Sequence, residues 1–152
     1  MEAGISIYRR IVEQEPEAVI FADCGGLIRI WNKGAEVVFG FSLQEVAGES
    51  LDLIIPEALR ERHWKAYYQA MATGVLSLGS RVMPTRALHK DGRVLYVDLS
   101  FAIIKDDSGQ VKGSLGIGRD MTERYLSGKT QKKYIAELEK KLREQPTDAS
   151  LS

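Results

Sequence analysis

The chain of 152 residues has one cysteine, two histidines, four prolines and no net charge, with 21 basic residues against 21 acidic ones. A single thiol, Cys24, rules out an internal disulfide and suits a reducing cytoplasm. Two histidines and one cysteine cannot furnish the usual four ligands of a structural zinc site. Balanced charge gives no footprint for nucleic acid. No apolar run approaches the roughly 20 residues of a membrane span, and the opening MEAGISIYRRIVEQEPEAV lacks the pattern of a signal peptide. Gly-x-Ser-x-Gly, His-Glu-x-x-His and kinase motifs are missing too, so the chain by itself is expected not to be an enzyme. Gly113, Gly116 and Gly118 lie in a strand pattern without a following Lys-Ser/Thr, so they make only a weak case for a phosphate loop.

What is present is the pattern of a globular α+β domain, 44% hydrophobic and 28% charged. Ile5, Tyr8, Ile11 and Val12 fall at helical spacing, so residues 1–15 form an amphipathic cap helix that hides one face on its own domain or on a partner. AVIFAD (18–23) and LIRIWN (27–32) read as a hairpin about the turn at Cys24-Gly25-Gly26. Asn32 caps a helix over 33–39 that Gly40 ends, and Ser42 with Glu45 forms a capping box. The stretch LDLIIPEALRERHWKAYYQAMATG (51–74) is an apolar run, a proline and a basic, aromatic helix with His63 at its start, stopped by Gly74. Three long strands follow, over 80–90, 93–106 and 111–122, joined at Asp91-Gly92 and Asp107-Ser108-Gly109. Strand alternation puts Arg81 and Met83 on one face, apart from Ser80 and Val82.

The expected architecture is an antiparallel sheet with helices on one face over residues 16–122. From 123 to 145 a helix carries Ile135, Leu138 and Leu142 at coiled-coil spacing, suited to extending a dimer, and residues 146–152 form a disordered tail.

Three stretches carry a family resemblance: AVIFADCGGLIRIWNKGAEVVFGFSLQEVAGESLDLIIP, HKDGRVLYVDLSFAII and GSLGIGRDMTER. Together they resemble a PAS domain over roughly residues 7–124, with Phe41 in place of the family's usual tyrosine. The resemblance implies a five-stranded antiparallel sheet in which the last strand lies between the first and the fourth. It also implies a pocket between that sheet and the helix bearing His63. Asp120 and Thr122 in RDMT match the Asp-x-Thr junction through which PAS domains pass signals to a following helix. The Asn-Cys-Arg motif of the blue-light flavin subclass is absent and Cys24 sits in the first hairpin turn, so no flavin is expected.

IIPEALRERH (54–63) resembles the stretch that holds the iron-ligating histidine in haem-binding PAS domains of rhizobial oxygen-sensor kinases and oxygen-sensing phosphodiesterases. The resemblance implies haem b with His63 as proximal ligand and Ile54 and Tyr67 in the pocket. It places Arg81 and Met83 on the distal side, Met83 as a candidate sixth ligand, with Leu99 and Phe101 at the apolar distal positions. A neutral imidazole is a good haem ligand, a guanidinium can donate to a bound diatomic, and a thioether can close an open coordination position. Arg81 also reads as a sheet residue paired with a carboxylate, and Met83 as core filler. Where those families hold the propionates, this chain has Gln69, Ala70 and Ser77, none of them charged, which leaves Lys65 as an anchoring candidate. Trp64, Tyr67 and Tyr68 read as cover for the sheet edge or pocket mouth, and His89 as solvent-facing without a role.

The function so implied is a cytoplasmic, homodimeric sensor of oxygen, CO, NO or redox state that passes its signal to a partner or output domain. The alternative is a cofactor-free PAS module for dimerisation, protein interaction or a small organic ligand.

Overall fold

The computed structural model describes residues 2–77, 79 and 81–144; the expected tail, 146–152, and Ser80 lie outside the described residues. The chain forms two compact units, one ending at Asp120 and the other starting at Met121. The first contains helix α1 (Glu2–Gln14), strands β1 (Ala18–Asp23) and β2 (Ile28–Trp31), and helices α2 (Lys33–Phe39) and α3 (Leu43–Val46). A 3-10 turn (Leu51–Ile54), helix α4 (Glu57–Thr73) and strands β3 (Met83–Leu88), β4 (Val94–Lys105) and β5 (Val111–Asp120) complete it. The second is helix α5 (Thr122–Glu144), along which Ile135, Leu138 and Leu142 are exposed.

All strand pairs are antiparallel and the order is β2-β1-β5-β4-β3, the five-stranded α+β arrangement expected. Directly opposed residues share a face, so the register sets out the helix-facing side in rows. Ala18, Gly118, Leu99 and Met83 make one row, and Ile20, Gly116 and Phe101 the next. Ala18, Ile20, Ala22, Leu95, Val97 and Leu99 on this side pack with Phe39, Val46, Ile54 and Tyr67 from the helical layer into one core. Glycine on β5 lets β4 side chains lean across the centre of the sheet. A Cβ at Gly118 would strike the Asp98 carbonyl and Leu99, and one at Gly116 would meet the Phe101 ring.

The helix ends follow local chemistry. Asn32 accepts from the Ala35 N–H to start α2, and Gly40, at φ +81°, ends it. Ser42 and Glu45 form the expected capping box. Ser50 accepts from the Asp52 N–H at the 3-10 turn, and Gly74 closes α4 in the left-handed region.

Three expectations need correction. β3 begins at Met83, not near residue 80, and Arg81 precedes it as an exposed residue. The ladder ends at the Met83–Leu99 pair, and the turn in which the Gly79 N–H donates to the Leu76 carbonyl interrupts the chain upstream, so alternation there has no partner strand. His63 lies inside α4, which opens at Glu57. His89 is not solvent-facing: its side chain is 15% exposed and its ring lies against Gly40 at the end of α2. The β3–β4 turn folds back on that helix end, where the Lys90 N–H donates to the Phe39 carbonyl at 2.8 Å and Lys90 pairs with Glu45.

Candidate functional site

Helix α4 turns one face inward. Tyr67 and Ala70 are buried on it, and Arg60, His63, Trp64 and Met71 are half-buried, which is the three- and four-residue spacing of a core stripe. The aromatic residues form one cluster. His63 and Trp64 have ring centroids 4.7 Å apart, and His63 and Tyr67 5.6 Å apart at 33°. Trp64 and the exposed Tyr68 stack at 5.5 Å and 25°.

Each neighbour of His63 is fixed by a polar tip. The Trp64 Nε1–H donates to Asp52 Oδ1 at 2.7 Å, and the Trp64 ring lies against Gly26, where any Cβ would strike it. Arg60 donates from Nε to the Ile55 carbonyl at 3.0 Å and from an Nη to the Asp52 carbonyl at 3.3 Å, holding the helix to the 3-10 turn before it. The Tyr67 hydroxyl lies 2.6 Å from the Asp23 carbonyl and 3.2 Å from that of Ala22, which ties α4 to the end of β1. Burial raises the Tyr67 phenol above its ordinary range, helped by Asp23. A proton that stays on suits a hydroxyl whose task is to donate.

His63 is different. Its Nδ1 is buried and has no hydrogen-bond partner. A buried nitrogen without a partner is costly, and most such groups in folded proteins are paired. Burial lowers the His63 pKa, with Asp52 pulling the other way, which favours the neutral ring. A neutral imidazole on an inward helix face, with Nδ1 unpaired, has the donor chemistry of a metal or haem ligand.

This burial gives a pH prediction. Above the ordinary histidine value of about 6.5, His63 is neutral in both folded and unfolded chains. As pH falls, the unfolded chain takes up a proton that the folded site resists, so stability is lost through the depressed folded value. Urea midpoints measured between about pH 7.5 and about pH 5.5 should fall for the wild type and change less for His63→Leu.

Of the other expected site residues, Ile54 and Leu99 are buried in the core and Phe101 is half-buried beside Gly116. Met83, half-buried, stands opposite Leu99 on the helix-facing side. Arg81 is not brought onto that face by the strand. Gln69, Ser77 and Lys65 are exposed, and Ala70 is buried. Cys24 is exposed in the β1–β2 turn, its thiol donating to the Val111 carbonyl at 3.3 Å. Sequence reasoning missed the polar anchors, Asp52 for Trp64 and the β1 carbonyls for Tyr67. The four-residue spacing of Arg60, Trp64 and Tyr68 was the one available signal.

Sheet order and an inward aromatic helix over one face of the sheet define an α+β domain. A family profile described as the PAS fold matches residues 6–121. The chain therefore belongs to the PAS family, whose domains are in general sensory or signalling modules that commonly dimerise and pair with output domains. It is 30% identical over 118 residues to the Sensor protein FixL of Bradyrhizobium diazoefficiens, covering 76% of this chain and 22% of that protein. An uncharacterized protein of Azorhizobium caulinodans is 29% identical over 120 residues, covering 78% of this chain and 16% of the relative. The chain thus spans about a fifth of the curated relatives it matches. Among solved structures, a PAS domain from Colwellia psychrerythraea superposes with TM-score 0.68 at 25% identity, covering 78% of this chain and 98% of that one. An RNA-binding light-oxygen-voltage receptor superposes with TM-score 0.69 at 19% identity, covering 87% and 37%, a likeness of fold. No described helix is long and apolar enough to cross a membrane.

Proposed function

We propose that this domain is a cytoplasmic sensor working through a ligand held on His63, and that haem b is the group its residues fit best. The orphaned, buried Nδ1 of His63 carries the reading, supported by the neutral state that burial favours in the ring. The stretch IIPEALRERH, by which the chain resembles haem-binding PAS domains, points the same way. A haem held there would supply an iron able to take a diatomic gas or change oxidation state.

The chain's own residues do the rest. His63 would hold the iron, with Trp64 shielding its ring from water, and Ile54, Leu99 and Phe101 supply apolar surface. Met83 would be the candidate for a second ligand, since it lies on the helix-facing side of β3, whereas Arg81 stands outside the strand. Oxygen, CO, NO or redox state is the signal, and a homodimer partner or output domain receives it.

The test is the absorption spectrum of the purified chain before and after hemin and dithionite. The expected result is a Soret band at one haem per chain that shifts with carbon monoxide. Hemin lost entirely on desalting would overturn the haem reading. The second reading is a cofactor-free or small-ligand PAS module for dimerisation. It is favoured by one observation, the exposed apolar stripe of Ile7, Tyr8 and Ile11 on α1.

A further inference from the structure

We propose that Tyr67 is the resident occupant of the site, a side chain that a flat ligand on His63 displaces, and that its release from the Asp23 carbonyl reports occupancy to the β1–β2 turn. The inference rests on the reading of His63 as the ligand-holding residue.

Tyr67 follows His63 by one helical turn on the same inward face. The residue is 8% exposed, its ring is centred 5.6 Å from the imidazole, and its hydroxyl reaches across to β1 at 2.6 Å. Tyr67 thus spans from the His63 ring to the end of β1. A plane set against the His63 ring on the side of Tyr67 displaces the Tyr67 ring. The hydroxyl cannot follow and keep so short a bond.

The acceptor makes the displacement informative. Asp23 is the last residue of β1, and its carbonyl also takes the Gly26 N–H at 2.9 Å to close the turn. Its carboxylate Oδ1 accepts from the Gly25 and Leu27 N–H groups at 3.0 Å each, and Oδ2 from Arg29 at 2.8 Å. The turn is thus held internally by Asp23 and against α4 by two contacts, the Tyr67 hydroxyl and the Trp64 ring on Gly26. Asp23 is also paired with Gly113 of β5, the central strand that ends at Asp120. Release of Tyr67 loosens the turn at the point where it is registered to that strand.

The experiment titrates the full chain with hemin and with metal-free protoporphyrin IX, in wild type, Tyr67→Phe and Tyr67→Leu. Hydrogen exchange of the Gly25, Gly26 and Leu27 amides is followed with and without hemin. Tyr67→Phe keeps the ring and removes the bond, so hemin is expected to bind about threefold to tenfold tighter, the equivalent of one buried hydrogen bond. In the wild type, hemin should speed exchange at the three turn amides, a result that needs no variant to fold. In Tyr67→Phe those amides should exchange fast already and change little. Hemin bound equally or more weakly by Tyr67→Phe, or turn amides unmoved in the wild type, overturns the role of Tyr67 and leaves His63 as ligand. Failure of wild type and both variants to take up either tetrapyrrole overturns both.

Discussion

Replacing Asn32 with alanine is expected to cost roughly 3–5 kcal/mol of folding stability. Asn32 is 3% exposed and every polar atom of its amide is used. Its Oδ1 accepts from the Val19 N–H at 2.8 Å and the Ala35 N–H at 2.9 Å, joining β1 to the first turn of α2. Its Nδ2 lies within reach of three carbonyls, Val12 at 2.9 Å, Glu15 at 3.1 Å and Glu17 at 2.9 Å, which hold the end of α1 and its link to β1. An ordinary helix cap lost to alanine costs about 1 kcal/mol. Here two further segments lose their partner as well, and buried groups left unpaired cost about 1–3 kcal/mol each. Against a total of about 5–15 kcal/mol for a domain of this kind, that is a large share. Urea unfolding measures it, and a midpoint within error of the wild type would show that water replaces the amide. Asn32→Asp separates donor from acceptor. It keeps both N–H contacts but sets a carboxylate against three carbonyls, so its penalty should grow as pH rises through the raised folded value of the new acid.

Asn32 also shows how far the sequence reaches. Its position before KGAEVVF marks it as a helix cap, and a cap it is. The three carbonyls that Nδ2 serves belong to the helix and linker before β1, and no local pattern announces a contact that spans that distance. The strands followed the same logic. AVIFAD is bounded by a turn and a proline-containing link, and β1 covers the expected residues. Alternation starts the third strand too early, because it persists through Arg81 and Met83 whether or not a neighbouring strand pairs with them. His89 looked like a turn residue. Its packing on Gly40 depends on two elements meeting that lie far apart in the chain. At the site, the position of His63 on the inward stripe is legible from helical spacing with Tyr67 and Ala70. The orphaned Nδ1 is not, because it depends on which partners fail to arrive.

The second large effect is expected at His63 itself. His63→Ala should reduce hemin affinity by at least a hundredfold and remove the Soret shift with carbon monoxide, since the proximal ligand sets both attachment and spectrum. His89→Ala, at the other histidine, removes a contact with Gly40 and should leave hemin binding unchanged. Loss of ligation and loss of fold separate cleanly here. An alanine at 63 also deletes an unpaired buried nitrogen, so His63→Ala should unfold at a urea concentration close to that of the wild type even as hemin is lost. Added imidazole should restore part of the spectrum by occupying the vacated space with the same donor atom. Full hemin occupancy in His63→Ala would move the ligand elsewhere and remove the basis for reading α4 as the sensing helix. Loss of hemin with rescue by imidazole would identify the orphaned nitrogen's ring as the ligand, and would explain why the site keeps an unpaired buried nitrogen.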